Sequence, residues 1–284
     1  MTRTFHIASL FAWRIPFAVA LAVLVLTGTA AAQVLPRHLD PNERQSAQNP
    51  PSPPALRILT TPNFPPFNYR DSSGALVGYN IDLAHAICTE LETVCTLQDW
   101  PWEQAAGALA DNQGDILIGG LDLDKETGAQ FDFSSVYLRF PGRFVLPRTG
   151  TGTRAFTPES LIGKTVAVRA GSRHADFIAR YLPGAHLIEA DTEFAALDLV
   201  KAGEADAFFG DSLRASFWLG QSSACCDFAG GAYYRPDYFG EGLAIAVAPG
   251  RGEVTTALNF ALSRLAKSGK MDELYLRWFP VGFY

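Results

Sequence analysis

Five stretches of the chain hold residues able to do chemistry on a small molecule. Thr60-Thr-Pro-Asn-Phe-Pro-Pro-Phe67 cannot be helical, because its prolines fix φ and remove donors, so it displays Phe64 either to a ligand or to a core under the loop. Trp100-Pro-Trp-Glu103 offers Trp102 as an aromatic wall or as a core tryptophan. In Gly119-Gly-Leu-Asp-Leu-Asp124, Gly119 and Gly120 let backbone approach a ligand, and Asp122 and Asp124 are binding acids or solvated turn residues. In Ala170-Gly-Ser-Arg-His174, Ser172 is a natural helix cap at a terminus whose free N–H groups favour an anion. Arg173 there is a carboxylate clamp or a solvated charge. Asp206-Ala-Phe-Phe-Gly-Asp211 puts an acid at the end of a buried strand, where Asp211 faces a cleft or caps the next helix. Aromatic faces and carboxylates both attract positive charge, so Phe64, Trp102, Asp122 and Asp211 together suit an amine or other cation.

Such residues act together only if the elements beneath them bring them to one side of a sheet. Short apolar runs alternate with helical periods: strands at Leu56–Thr60, Val94–Leu97 and Asp115–Gly119, helices around Ala84–Leu91 and Trp102–Ala110. The pattern restarts with strands at Thr165–Arg169, His186–Ile188 and Ala205–Gly210 and helices at Arg173–Tyr181 and Glu193–Ala202. Leu243–Val247 then reads as a strand, Glu253–Lys267 as a helix, and a short helix runs to about Trp278; these are expected to return to the first unit. This alternation predicts two α/β lobes with parallel strands, whose ligands sit beyond the carboxyl ends of the strands. Phe144–Gly150 going out and Tyr238–Gly242 coming back predict a two-strand hinge. The lobes are then 56–146 plus 242–284, and 147–241.

The chain has 284 residues, 48% hydrophobic and 18% charged, which is enough apolar material for a globular core. Arg3 and Arg14, an apolar run from Ile15 to Leu26 and small residues to Ala32 read as a cleavable signal peptide over 1–32. About 12 apolar residues are too few to span a bilayer. Residues 33–55, rich in Pro, Gln, Asn and Ser, read as a flexible leader. Without residues 1–32 the chain carries 21 basic and 29 acidic residues, a net charge of −8, which disfavours nucleic acid and anionic membranes as partners. Secretion permits disulfides. Cys88 and Cys95, seven apart across a helix end and a strand start, can be bridged, whereas the state of the neighbours Cys225 and Cys226 stays open.

Leu56-Arg-Ile-Leu-Thr-Thr-Pro-Asn-Phe-Pro-Pro-Phe-Asn-Tyr69 and Gly74-Ala-Leu-Val-Gly-Tyr-Asn-Ile-Asp-Leu-Ala84 resemble the opening of the polar amino-acid class of bacterial periplasmic binding proteins. Asp132-Phe-Ser134, Leu161–Val166, Gly203–Ala207, Tyr238–Gly242 and Leu274–Phe279 follow in that family's order, from residue 56 to the end. The resemblance implies the two-lobed binding-protein fold of this class of ABC importers. It also implies a periplasmic location, a monomer, a membrane permease as partner and no cofactor or metal. It places a ligand-stacking aromatic at Phe64 and a packing partner at Trp102. Asp211 takes the acid that accepts an α-ammonium, and Ser172 and Arg173 occupy second-lobe positions near an α-carboxylate. Cys88 and Cys95 resemble the disulfide of the basic amino-acid binders.

Two departures matter. The family's Ser-x-Thr-x-x-Arg, whose arginine clamps the carboxylate, reads Asp122-Leu-Asp-Lys-Glu-Thr127 here, and Thr61 stands where basic amino-acid binders carry an acid. An ionised Asp122 would repel a carboxylate by several kcal/mol at an effective dielectric of about 20. The expected ligand is therefore a cationic or amine-bearing solute, with an amino acid clamped by Arg173 as the alternative. A rival class is an enzyme, since periplasmic cyclohexadienyl dehydratases resemble the same fold and opening. Against it stand the missing arginine and the absence of a nucleophile elbow, paired-histidine zinc motif or phosphate loop, and His174 reads as a surface helix residue. A sensory partner of a membrane receptor, or metal capture by Cys225 and Cys226, are further alternatives.

Overall fold

The computed structural model describes residues 50–121, 123, 127–148, 156–222 and 224–284. The signal segment, most of the leader, and Asp122 and Asp124 lie outside the described residues. The first part of the chain comprises β1 (Ala55–Thr60), β2 (Asn63–Phe64), β3 (Asn68–Arg70), β4 (Leu76–Val77), α1 (Tyr79–Glu90), β5 (Val94–Asp99) and α2 (Trp102–Ala110). There follow β6 (Ile116–Leu117), α3 (Thr127–Gln130), β7 (Asp132–Phe133), β8 (Gly142–Pro147), β9 (Thr165–Arg169), α4 (Arg173–Tyr181), β10 (His186–Ala190) and α5 (Glu193–Ala202). The last elements are β11 (Ala207–Asp211), α6 (Ser212–Ser222), β12 (Cys226–Tyr233), α7 (Pro236–Phe239), β13 (Ala246–Val247), α8 (Gly252–Lys267) and α9 (Lys270–Trp278).

Two five-stranded sheets form, in the orders β5-β1-β6-β13-β7 and β10-β9-β11-β8-β12. The strands β5, β1 and β6 run parallel, as do β10, β9 and β11, as the alternation of elements predicts. Side-chain alternation gives each sheet two buried faces. Leu56 and Ile58 of β1 pack with α1, α8 and α9, while Leu59 faces α2 with Ala105 and Leu109. In the second sheet Ala167 and Phe208 face α5 and α6, and Val166, Val168 and Phe209 face α4. The two last helices pack with α1: residues of α8 and α9 share its core, and Asp82 of α1 accepts hydrogen bonds from Arg277 Nη1 and Trp278 Nε1, both at 2.9 Å.

The crossing between lobes differs from expectation. Phe144–Pro147 is not a connection, because β8 is an interior strand of the second sheet, antiparallel to both β11 and β12. Its apolar run fits burial on both faces, which is why it could be taken for a strand leaving the first lobe. The first crossing therefore lies upstream of Gly142. It meets the return crossing at an antiparallel bridge between Leu138 and Leu243, with the Leu243 N–H donating to Leu138 O at 2.7 Å. Gly242 makes that approach feasible: its φ is +113°, and a Cβ there would stand 2.3 Å from Leu138 O.

Cys88 and Cys95 are joined, tying the end of α1 to β5 with a Cα separation of 6.2 Å. Cys225 and Cys226 are joined as well, at the start of β12. The β12 strand itself was not foreseen, since two glycines and a bulge between Ala229 and Tyr233 hide its period.

Gly242→Ala is expected to lower the unfolding free energy by about 2–4 kcal/mol, because it adds backbone strain and a backbone clash at the crossing. Urea denaturation measures this; an unchanged midpoint would show that the two crossing strands can separate without cost.

Candidate functional site

The loop after β1 is held from beneath by a buried chain of polar side chains. Asn68 Nδ2 donates to Thr61 O at 2.7 Å and to Thr61 Oγ1 at 2.8 Å, Asn80 Nδ2 donates to Asn68 Oδ1 at 2.8 Å, and Tyr137 OH donates to Asn80 Oδ1 at 2.8 Å. Thr61, Asn68 and Asn80 are fully buried, where an unmade hydrogen bond costs about 1–3 kcal/mol, so this chain sets the loop's path. Above it the Phe64 ring stacks on Phe67 at 4.8 Å and remains partly exposed. Its edge lies against Gly120, where φ is +90° and a Cβ would come within 2.7 Å of the ring. Phe64, Gly119 and Gly120 thus lie together, with Gly119 against Thr61. Trp102, the first residue of α2, is 42% exposed, so it is not a core tryptophan. Asp122 lies outside the described residues.

At the carboxyl end of the second sheet the sequence-predicted residues divide. Ser172 caps α4: its Oγ accepts from Ala175 N at 3.1 Å and donates its one hydrogen to Arg169 O at 2.7 Å, so the hydroxyl has no proton left for a ligand. Arg173 turns onto α7, where its Nη2 donates to Asp237 O at 2.8 Å and its guanidinium lies 5.5 Å from the Tyr238 ring centre. His174 is half-buried rather than a surface helix residue. Its ring stacks on Phe239 at 4.5 Å and 9°, its Nε2 is buried without a partner among the described residues, and burial, followed by the charge of Arg169, lowers its pKa to about 4.

Asp211 does cap the following helix, accepting the N–H of Arg214 at 2.8 Å, yet capping is not its whole situation. The residue is only partly covered, and its carboxyl is pushed up to about 6. Burial is the main cause and the nearby Glu193 charge adds to it, against the opposing N–H donors of α6 and the Arg214 guanidinium. No ion pair to Asp211 occurs among the described residues.

Three neighbouring residues were missed in the sequence. Glu193, at the start of α5, is buried, and its Oε1 lies 3.3 Å from Arg169 Nη1 and 4.0 Å from Arg214 Nε. Arg169 closes a strand and Glu193 opens a helix, both at boundaries the sequence places correctly. A search of the last residue of each strand, rather than the loop after it, would have found Arg169.

The family model of bacterial extracellular solute-binding proteins, family 3, matches residues 56–281. A protein of Escherichia coli K12, provisionally named ABC transporter arginine-binding protein 2, is 31% identical over 225 residues, covering 79% of this chain and 90% of its own length. The L-cystine solute receptor of Neisseria gonorrhoeae in its unliganded open conformation superposes with a TM-score of 0.69 at 20% identity, over 81% of this chain and 94% of that one. An ancestral cyclohexadienyl dehydratase superposes with a TM-score of 0.67 at 23% identity, over 80% and 93%. These two structural likenesses establish the two-lobed fold; a fold shared by a receptor and an enzyme does not choose between binding and catalysis.

Because the Asp211 carboxyl titrates near 6 in the folded chain and near 3.8 in the unfolded one, its ionisation opposes folding above pH 6, and that cost disappears as the pH falls toward 4. Asp211→Asn, which can still cap α6, is expected to be more stable than the wild type by about 1–3 kcal/mol at pH 8, with the gap closing by pH 4. Urea titrations across that range would show a constant gap if Asp211 were an ordinary surface carboxylate.

Proposed function

The chain belongs to family 3 of the bacterial extracellular solute-binding proteins, and on that premise we propose that it captures a small amine-bearing solute between its lobes and delivers it to the membrane permease of an ABC importer. The observation that carries this reading is Asp211, a partly covered carboxylate at a strand end with a raised pKa and, among the described residues, no ion pair despite the nearby Arg214 charge. A ligand ammonium supplies the missing partner. The partly exposed ring of Phe64 and the exposed Trp102 provide apolar and cation-attracting faces from the first lobe. The arginine-binding role in the name of the Escherichia coli relative fits the same chemistry.

Capture works by closure. The ligand touches groups of both lobes, so its affinity for the closed form exceeds that for the open one, and the paired crossings at Leu138 and Leu243 take up the bend. The location is periplasmic, after removal of the signal segment, and the working unit is the monomer. Arg173 is a poor carboxylate clamp in this reading because its guanidinium is engaged by Asp237 and Tyr238. The reading as a carrier rather than a catalyst rests on family membership. It gains support from His174, whose stacked, neutral ring is badly placed to serve as a general acid.

Calorimetric titration of the refolded, ligand-stripped mature protein with amines and amino acids tests the proposal. Binding is expected to weaken about tenfold per pH unit below pH 6 and to level off above it, since the cation must displace the Asp211 proton. Asp211→Asn is expected to cost about 100-fold in affinity. Affinity that ignores both pH and this substitution would remove Asp211 from the site.

A further inference from the structure

Between the bridge at Leu138 and the start of β8 at Gly142, the first crossing consists of Arg139, Phe140 and Pro141. Pro141 has a fixed φ, so a change in the angle between the lobes falls mainly on Arg139 and Phe140. Both are held by the segment that follows α9. The Tyr284 hydroxyl accepts from Arg139 N at 3.1 Å and donates to Arg139 O at 2.7 Å. Those two groups belong to the peptide planes on either side of Arg139, so one side chain fixes both planes. The Phe140 ring lies 6.3 Å from that of Phe283, which is fully buried and whose N–H donates to Tyr275 OH of α9 at 2.8 Å.

The same segment reaches the second lobe. Val281 packs on the core that α5 and α6 cover, facing Gly220 of α6. The Tyr284 ring lies 6.2 Å from that of Tyr234, just after β12, and at 22° to it. In the opposite sense, Leu213 and Phe217, one turn apart on α6, and Phe228 of β12 pack on the core of the first lobe. We propose that residues 280–284 are a hinge strap that restrains the angle between the lobes. The free energy of closure then includes a contribution from residues other than those proposed to hold the solute. Rotation cannot preserve all of the strap's contacts, because Phe283 and Tyr275 fix it to α9. Turning the second lobe about Leu138 and Leu243 shears Val281 along α6 or parts the Tyr284 and Tyr234 rings, and twisting Arg139 breaks one of its two hydrogen bonds to Tyr284. The strap goes beyond the capture proposed above and assumes nothing about the solute.

The test is made on the mature protein without ligand. Spin labels on genetically encoded side chains at positions 201 and 267, where exposed lysines stand on α5 and α8, report the lobe separation as a distribution of distances. Amide exchange followed by NMR reports the Arg139 N–H. Tyr284→Phe removes the hydroxyl and keeps the ring; it is expected to speed exchange at Arg139 about tenfold and to broaden the distance distribution. Val281→Ala, which leaves Arg139 untouched, is expected to broaden the distribution with the Arg139 amide unchanged, and the two substitutions together to broaden it further. Thermal unfolding of each variant, with a single transition near that of the wild type, shows that the fold is kept. A distribution that stays at the wild-type width in both variants overturns the strap, because the contacts are then local packing that restrains nothing. An Arg139 amide indifferent to loss of the hydroxyl overturns it too. Neither result bears on the capture by Asp211, whose own test requires a ligand.

Discussion

The hydrogen bond from Asn80 to Asn68 joins three parts of the first lobe that the chain leaves far apart. Asn68 fixes the Thr61 loop that presents Phe64, Asn80 belongs to the first turn of α1, and Tyr137, which donates to Asn80, immediately precedes the crossing residue Leu138. All three links lie in an apolar interior, where a polar group without a partner is costly, so none can be broken without disturbing the others. The Phe64 loop is thereby tied to the strand that leads into the Leu138–Leu243 bridge. Three hydrogen bonds in series therefore separate the residue before the crossing from the loop that carries Phe64.

The second lobe solves a different problem. A parallel sheet delivers its strand ends to one edge, and charged residues placed there are partly desolvated by the helices that follow. Glu193 is tolerated in that setting because two arginines approach it, whereas Asp211 has N–H donors of its own helix and the Arg214 charge but no ion pair among the described residues, and keeps its proton to a higher pH. The edge is thus divided into an internally satisfied part and an unsatisfied one. The unsatisfied part holds a carboxylate that has already lost part of its hydration, the property on which the proposed amine capture rests.

How far the site was legible follows from which interactions are local. Phe64, Gly119 and Gly120 could be chosen because proline and glycine restrict or free the backbone wherever they stand, and Asp211 because an acid closing an apolar strand is conspicuous. Ser172 was read correctly as a cap for the same local reason. Arg173 and His174 were misjudged: one turns to Asp237 and the other stacks on Phe239, more than sixty residues downstream, and no local pattern records such a partner. Glu193 escaped notice because an acid at a helix start is ordinary until the arginines that reach it are known.

The sequence by itself determined the alternation of strands and helices in most of the chain and the existence of two α/β units, and it placed Cys88 and Cys95 at a separation that a disulfide can bridge, since periodicity, caps and short separations are properties of neighbouring residues. It also determined the family, through an ordered set of short stretches from residue 56 onward. Tertiary structure alone decided that β8 lies within the second sheet and not between the lobes, that Gly242 must admit Leu138 O, and which charges at the second sheet's edge are paired. A buried strand reads the same in either lobe, and the energy of a charge depends on what surrounds it in space. Those choices are made by chain segments that meet only after folding.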